Sequence, residues 1–148
     1  MDPTSPVQVM FVPSYLNGVD GIFDKDYYEL LCGMDVTVFP SYYEPWGYTP
    51  LESVAFSVPT ITTSLAGFGL WVAEHCKEHK GVEVIDRNDA NDSEGVTEIA
   101  SSIEKFCNMS AKEYASYQES ALKTSEIALW ENLYAYYAHA YDLSLIHI

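Results

Sequence analysis

An α/β fold, with a Rossmann-like parallel sheet, helices on both faces and a long helix at the end, is predicted by three observations. Short β-branched runs alternate with helical segments. Each later run is followed by a polar or glycine-bearing stretch that leads into the next helix. The last third of the chain carries only helical spacing and Tyr- and Ala-rich sequence.

The elements follow in order. Val7-Gln8-Val9-Met10-Phe11-Val12 reads as a first strand, closed by Pro13. Tyr15 to Asp24 is a loop with Asn17-Gly18 and Asp20-Gly21 turn signals. Asp26 caps a short helix through Leu31, ended by Gly33. Val36-Thr37-Val38-Phe39 is a buried strand that the pattern places centrally in the sheet. A helix over Pro50–Ser57 follows, with Thr49 at the N-cap, Pro50 at the first helical position and Glu52 three residues past the cap. Pro59 precedes the strand Thr60–Thr63. Ala66 to Leu70 reads as a glycine-bearing loop, and Trp71 to His79 as a helix. Val82–Ile85 is the fourth strand, followed by a polar turn over Asp86–Ser93. Val96, Ile99, Ile103 and Phe106 then recur at helical spacing. Ser110-Ala111-Lys112-Glu113 is a second capping box, opening a helical segment to about Tyr141.

With 148 residues, 48% hydrophobic and 14% aromatic, the chain has about one domain's length and a globular composition. Seven basic against 22 acidic residues give a net charge of −15. Such a surface repels polyanions, which argues against nucleic acid and anionic membrane as partners. A nucleotide sugar stays admissible, because helix-start amides hold a diphosphate locally. Cys32, Cys76 and Cys107 are dispersed, without a C-x-x-C, and fit a reduced, cytoplasmic setting. Met1-Asp2-Pro3-Thr4-Ser5-Pro6 lacks the basic and apolar regions of a signal peptide, and no apolar run approaches membrane-spanning length.

The segment from Pro40 to Glu52 carries most of the functional signal. Glu44 and Glu52 lie on either side of a strand-to-helix turn, with seven residues between them. A strand that ends in a polar loop feeding a helix N-terminus is where open α/β sheets bind ligands, and the amides of that helix start favour a phosphate. His75 and His79, four apart on the expected helix, have zinc-ligand spacing, but no third ligand lies near them in sequence; a solvated helical pair is the competing account. Gly67-Phe68-Gly69 lacks the spacing of a dinucleotide fingerprint.

The unbroken string Phe39 to Pro50, followed by Gly67-Phe68-Gly69, resembles the retaining glycosyltransferases with two facing Rossmann-like domains (the GT-B architecture), and most closely the glycogen synthases of the animal and fungal type. The likeness runs from about Tyr15 to Tyr141 and corresponds to the later, donor-binding part of such an enzyme. It implies a glucosyltransferase that moves glucose from a nucleotide sugar to the non-reducing end of an α-1,4-glucan with retention. On this resemblance residues 1–109 are a nucleotide-sugar-binding domain truncated at its N-terminal side, and residues 110–142 a C-terminal helical segment. Residues 143–148 look like translated adapter sequence. The glucan acceptor, the partner domain and the basic clamp of the donor diphosphate are expected upstream of the first residue, so the chain alone is expected to be inactive. An oligomer of the full-length enzyme remains open.

By resemblance Glu44 is the catalytic carboxylate at the donor glucose, with the Trp46 and Gly47 amides beside it. Tyr48 and Thr49 would hold the distal phosphate; a plain helix cap is the other role for Thr49, compatible with the first. Glu52 would hold the ribose hydroxyls, in competition with its own capping bond. Tyr27, 17 residues before Glu44, would stack on uracil, or else be a buried helix tyrosine. Gly67, Phe68 and Gly69 would line the donor cleft. No cofactor and no metal are implied; UDP-glucose or ADP-glucose is a substrate, and Tyr27 favours UDP. The arginine-rich stretch that binds glucose 6-phosphate in the animal and fungal enzymes has no match, because Ser120 to Glu126 holds one Lys and no Arg. Two other readings stay open: a related retaining enzyme making sucrose or a cell-surface glycan, and a nucleotide-sugar-binding module without catalysis.

Overall fold

The computed structural model describes residues 4–145. The readings placed on Met1-Asp2-Pro3 and on Ile146-His147-Ile148 lie outside those residues. The chain divides into two compact units, Met1–Gly33 and Met34–Ile148.

In the first unit, α1 (Tyr27–Leu31) carries a complete capping box: the Asp26 carboxylate accepts from the Glu29 amide at 2.9 Å, and Glu29 accepts from the Asp26 amide at 3.2 Å. Upstream, Asp20 accepts from the Ile22 and Phe23 amides, which fixes the turn that Asp20-Gly21 announces. The expected strand over Val7–Val12 does not form. Val7, Val9 and Phe11 are exposed, and no neighbouring strand takes the segment's backbone groups. β-branched sequence makes a strand only where a partner and a buried face exist.

The second unit is built on three parallel strands, β1 (Thr37–Val38), β2 (Thr60–Thr63) and β3 (Val82–Ile85), in the order β1-β2-β3. Thr37 pairs with Thr60, and Ile61 with Glu83. Among the described residues the sheet therefore has three strands, not four, and β1 lies at its edge, not its centre. The helices are α2 (Tyr48–Ala55), α3 (Gly67–His75), α4 (Asp92–Cys107), α5 (Ala111–Ile127) and α6 (Trp130–Leu145).

Both faces of the sheet are covered, as predicted. On one, Val54, Phe68, Val72, Cys76, Val82 and Ala121 form a buried cluster from α2, α3, β3 and α5. On the other, Ile61, Ile85 and Phe106 pack with Val36, Ile99 and Tyr117, which brings in α4 and the start of α5. Three polar side chains around β1, α2 and β2 satisfy one another: the Thr37 hydroxyl lies 2.6 Å from both Ser53 and Thr60, and Ser53 donates to the Val58 carbonyl.

Three boundaries differ from the sequence reading. α2 begins at Tyr48, so Gly47, not Thr49, is the N-cap, and Thr49 and Pro50 sit inside the first turn. Gly47 has φ +110°, which turns the chain into the helix directly after Trp46. Pro50 fits there because the first-turn amides lack intrahelical acceptors anyway. α3 begins at Gly67, inside the supposed loop, and ends at His75, where the chain leaves the helix at Cys76 to return to β3. The C-terminal run is helical from Ala111 to Leu145, with a short break at Ala128 and Leu129. Ser110 accepts from the Glu113 amide, one arm of the expected box. Leu143 to Leu145 of the supposed tail are the last residues of α6.

Candidate active site

The loops at the carboxyl ends of the three strands meet, which is where a parallel sheet offers a ligand site. The loop after β1 is fastened to the one after β2. Phe39 extends the ladder by donating to the Ile61 carbonyl (2.8 Å), and the Thr63 hydroxyl donates to the Ser41 carbonyl (2.7 Å). The Glu44 amide donates to Leu65, the Gly67 amide to the Glu44 carbonyl (3.0 Å), and the Phe68 amide to Trp46. Glu44 thus makes a parallel bridge with Ala66 while its side chain stays exposed.

The glycines of Gly67-Phe68-Gly69 are packing residues. A Cβ on Gly67 would lie 2.2 Å from the Pro45 carbonyl oxygen, and one on Gly69 would lie 2.3 Å from that of Thr63. Helix propensity reads such residues as a loop, whereas here they let α3 approach two backbones. Phe68 is fully buried, with its ring against Trp46 and Trp71.

At the start of α2, Gly47 supplies no side-chain cap, and the Tyr48 and Thr49 amides belong to the turn that has no intrahelical acceptor. Both residues are exposed. Gly47 also lies against Glu44, whose Cγ is 3.6 Å from where a Gly47 Cβ would stand. The carboxylate loop and the helix start are therefore one constellation: Glu44, Trp46, Gly47, Tyr48 and Thr49, backed by Gly67, Phe68 and Gly69. Glu52, half-buried, sits in the second turn of α2, and because Gly47 is the N-cap, the box expected from Thr49 and Glu52 does not open this helix. Tyr27 belongs to the first unit, half-buried at the start of α1 and edge-on to Tyr28 at 5.3 Å.

Beside the site, Trp46, Trp71, His75 and Tyr136 form a chain of ring contacts at 5.8–6.2 Å. They line an apolar groove of about 710 Å³ that also touches Tyr48, Trp130 and Tyr137. Neither Glu44 nor Glu52 lies on its wall, and an apolar groove does not suit a diphosphate. His75 ends α3 with Nδ1 3.0 Å from the Trp71 carbonyl oxygen, while His79 lies beyond the helix with Nδ1 3.0 Å from that of Val82. The two do not share a helix face. Among the described residues no group of three or more His, Cys, Asp or Glu side chains is placed to hold a metal. None of the described helices is long and apolar enough to cross a membrane.

Sequence reasoning missed a second tie. Arg87, just past the end of β3, is buried at 7% exposure, with its guanidinium 4.0 Å from the centre of the Tyr42 ring and paired with Asp92 of α4. The Tyr42 hydroxyl donates to the same Asp92 carboxylate at 3.3 Å. Contact with Tyr42 foremost, then with Asp92, holds the Arg87 guanidinium above even its ordinary range. The available signal was that Arg87 is the chain's only arginine and lies two residues past a strand.

The model of the glycogen synthase family matches residues 2–148. The chain is 37% identical over 145 residues to a glycogen [starch] synthase of Caenorhabditis elegans, covering 97% of this chain and 22% of that protein. It is 33% identical over 144 residues to the human liver glycogen [starch] synthase, covering 96% and 20%. Against isoform 1 from Saccharomyces cerevisiae it is 34% identical over 149 residues, covering 97% and 21%. The chain spans about a fifth of the length of the curated relatives it matches.

Proposed function

Because the chain belongs to the glycogen synthase family, we propose that it forms the donor-binding part of a glucosyltransferase. That enzyme transfers glucose from a nucleotide sugar, UDP-glucose in preference to ADP-glucose, to the non-reducing end of an α-1,4-glucan with retention. The observation that carries the reading is the constellation at the β1–α2 turn. An exposed Glu44 is tied through its own backbone beside a helix start whose cap has no side chain.

Each residue then has a chemical task. Bond cleavage at the anomeric carbon passes through an oxocarbenium-like state, which a fixed carboxylate stabilises and orients. Glu44 does this through the sugar. The Tyr48 and Thr49 amides, with the α2 dipole, take the distal phosphate. Glu52, in the second turn of α2, holds the ribose hydroxyls; the base-stacking role of Tyr27 rests on the family likeness alone. Trp46 and Gly47 bring the loop to the sugar. Gly67, Phe68 and Gly69 shape the cleft from behind, since the Phe68 side chain is buried and its amide is taken by Trp46.

Calorimetric titration of the 148-residue chain tests the assignment. UDP-glucose should bind more tightly than ADP-glucose. Glu52→Ala should weaken UDP itself, whereas Glu44→Ala should weaken UDP-glucose and leave UDP nearly unchanged. Equal losses of UDP affinity in the two variants would contradict this division. The same chain should make no glucan from UDP-glucose, because positioning by a second cleft wall supplies much of the rate; glucan synthesis by it would refute that expectation.

A further inference from the structure

We propose that Arg87, clamped between the Tyr42 ring and Asp92, is the positioning residue that fixes the Glu44 loop over the ends of β2 and β3. The functional half of this inference rests on the donor-site reading above; the mechanical half does not.

Arg87 is anchored at both ends. Its amide donates to Ser64 Oγ (2.8 Å) just past β2, and Ser64 Oγ donates to Asp86 (3.0 Å). Its side chain crosses to α4, where Asp92, in the first turn, is favoured by the helix dipole. The Arg87 Nε is buried without an acceptor. A buried N–H left unpaired is destabilising, so packing alone gives no reason for an arginine here. What the guanidinium gains is the face of the Tyr42 ring on one side and the Asp92 carboxylate on the other.

Tyr42 lies two residues before Glu44, and only the exposed Tyr43 stands between them. Glu44 is itself bonded to Leu65 and Gly67. The carboxylate is thus held from both sides, by the Arg87 clamp and by the Ala66 bridge. Without the clamp only the bridge remains, and a shift of about 1 Å in a positioned group costs on the order of a hundredfold in rate.

The test is amide hydrogen exchange by NMR on the full 148-residue chain, with Arg87→Met, Tyr42→Leu, Tyr42→Phe and the Arg87→Met/Tyr42→Leu pair. The reporters are the Glu44 and Gly67 amides. The Thr60 amide, bonded to the Gly81 carbonyl at 2.9 Å, reports the core. Arg87→Met and Tyr42→Leu should each speed the reporters several-fold, the scale of a cation–ring contact whose ring is exposed, and leave Thr60 within about twofold. The pair should be no faster than either single variant. Tyr42→Phe, which keeps the ring, should retain protection. Tyr42→Leu, at an exposed position, keeps the test decisive should Arg87→Met fail to fold. Unchanged reporters, equal acceleration at Thr60, or loosening by Tyr42→Phe would overturn the proposal. Titration separates the two halves: Tyr42→Leu should lower the affinity for UDP-glucose several-fold and spare that for UDP. If the reporters loosen as expected but the wild-type chain binds no UDP-glucose, the clamp is supported and the donor-site reading is overturned.

Discussion

Gly67 shows why single residues decide this site. Its missing side chain lets Pro45 approach the first turn of α3, so an added methyl must push apart the loop that carries Glu44. Gly67→Ala should therefore cost about 2 kcal/mol or more by overpacking, seen as a lower urea midpoint. A stability within a few tenths of wild type would show that the loop yields freely. At Glu44 the expectation concerns chemistry, not stability. In a full-length enzyme carrying this segment, Glu44→Ala should lower turnover on the order of a hundredfold, about 3 kcal/mol, the usual loss for one transition-state contact. Its exposed side chain gives no reason for a change in melting temperature, and that pairing of readouts checks the role. Cysteine reactivity follows burial. Cys76 is 4% exposed, and burial pushes its thiol above the ordinary range, while Cys32 and Cys107 are exposed. Iodoacetamide should label two thiols rapidly and spare Cys76 until the chain unfolds; three equal rates by mass spectrometry would contradict the packing of α3.

At the scale of elements, what was legible in the sequence was what depends on neighbours a few residues away. The Asp26 cap, the Thr60–Thr63 and Val82–Ile85 strands and the Ser110 helix start all came from local chemistry and were found in place. The misreadings arose where a distant backbone decides. Gly67 and Gly69 read as loop because only the approach of Pro45 and Thr63 makes them helical packing residues. Val7–Val12 read as strand although no strand among the described residues pairs with it. In the candidate site, the string showed that a helix opens soon after Glu44 but misplaced its cap at Thr49 instead of Gly47, whereas the Tyr42–Arg87–Asp92 contacts join residues up to 50 apart and leave no local pattern. The hydroxyl relay between β1, α2 and β2 is another such feature. Ser53 is fully buried and serves both Thr37 and the Val58 carbonyl. Ser53→Ala should cost about 1–3 kcal/mol by leaving those groups unpaired. Thr37→Val in the same background should cost less than it does alone. Simple addition of the two losses in urea denaturation would mean that the hydroxyls act independently.

For the whole molecule, the two units differ in how their backbones are held. Among the described residues up to Asp24 the first unit has no helix and a single isolated bridge, Asn17 to Asp26, and Phe11 and Tyr15 are 81% and 92% exposed. In α6 the aromatics Tyr134, Tyr136 and Tyr141 are also exposed, at 60–64%, but their backbone is helical. Exposure alone would make both regions equal targets for chymotrypsin. Cleavage, however, requires an extended stretch of backbone, and local opening is nearly free only where few hydrogen bonds must break. Brief digestion should therefore cut after Phe11 and Tyr15 first, and leave a resistant product that keeps the sheet, α4 and α5. Cuts after the α6 tyrosines should follow more slowly. Mass spectrometry of the early products reads the order directly. First cuts within α6 would show that the last helix is frayed, and first cuts between Tyr42 and Tyr48 would show that the Glu44 loop is not fastened as its backbone bonds require.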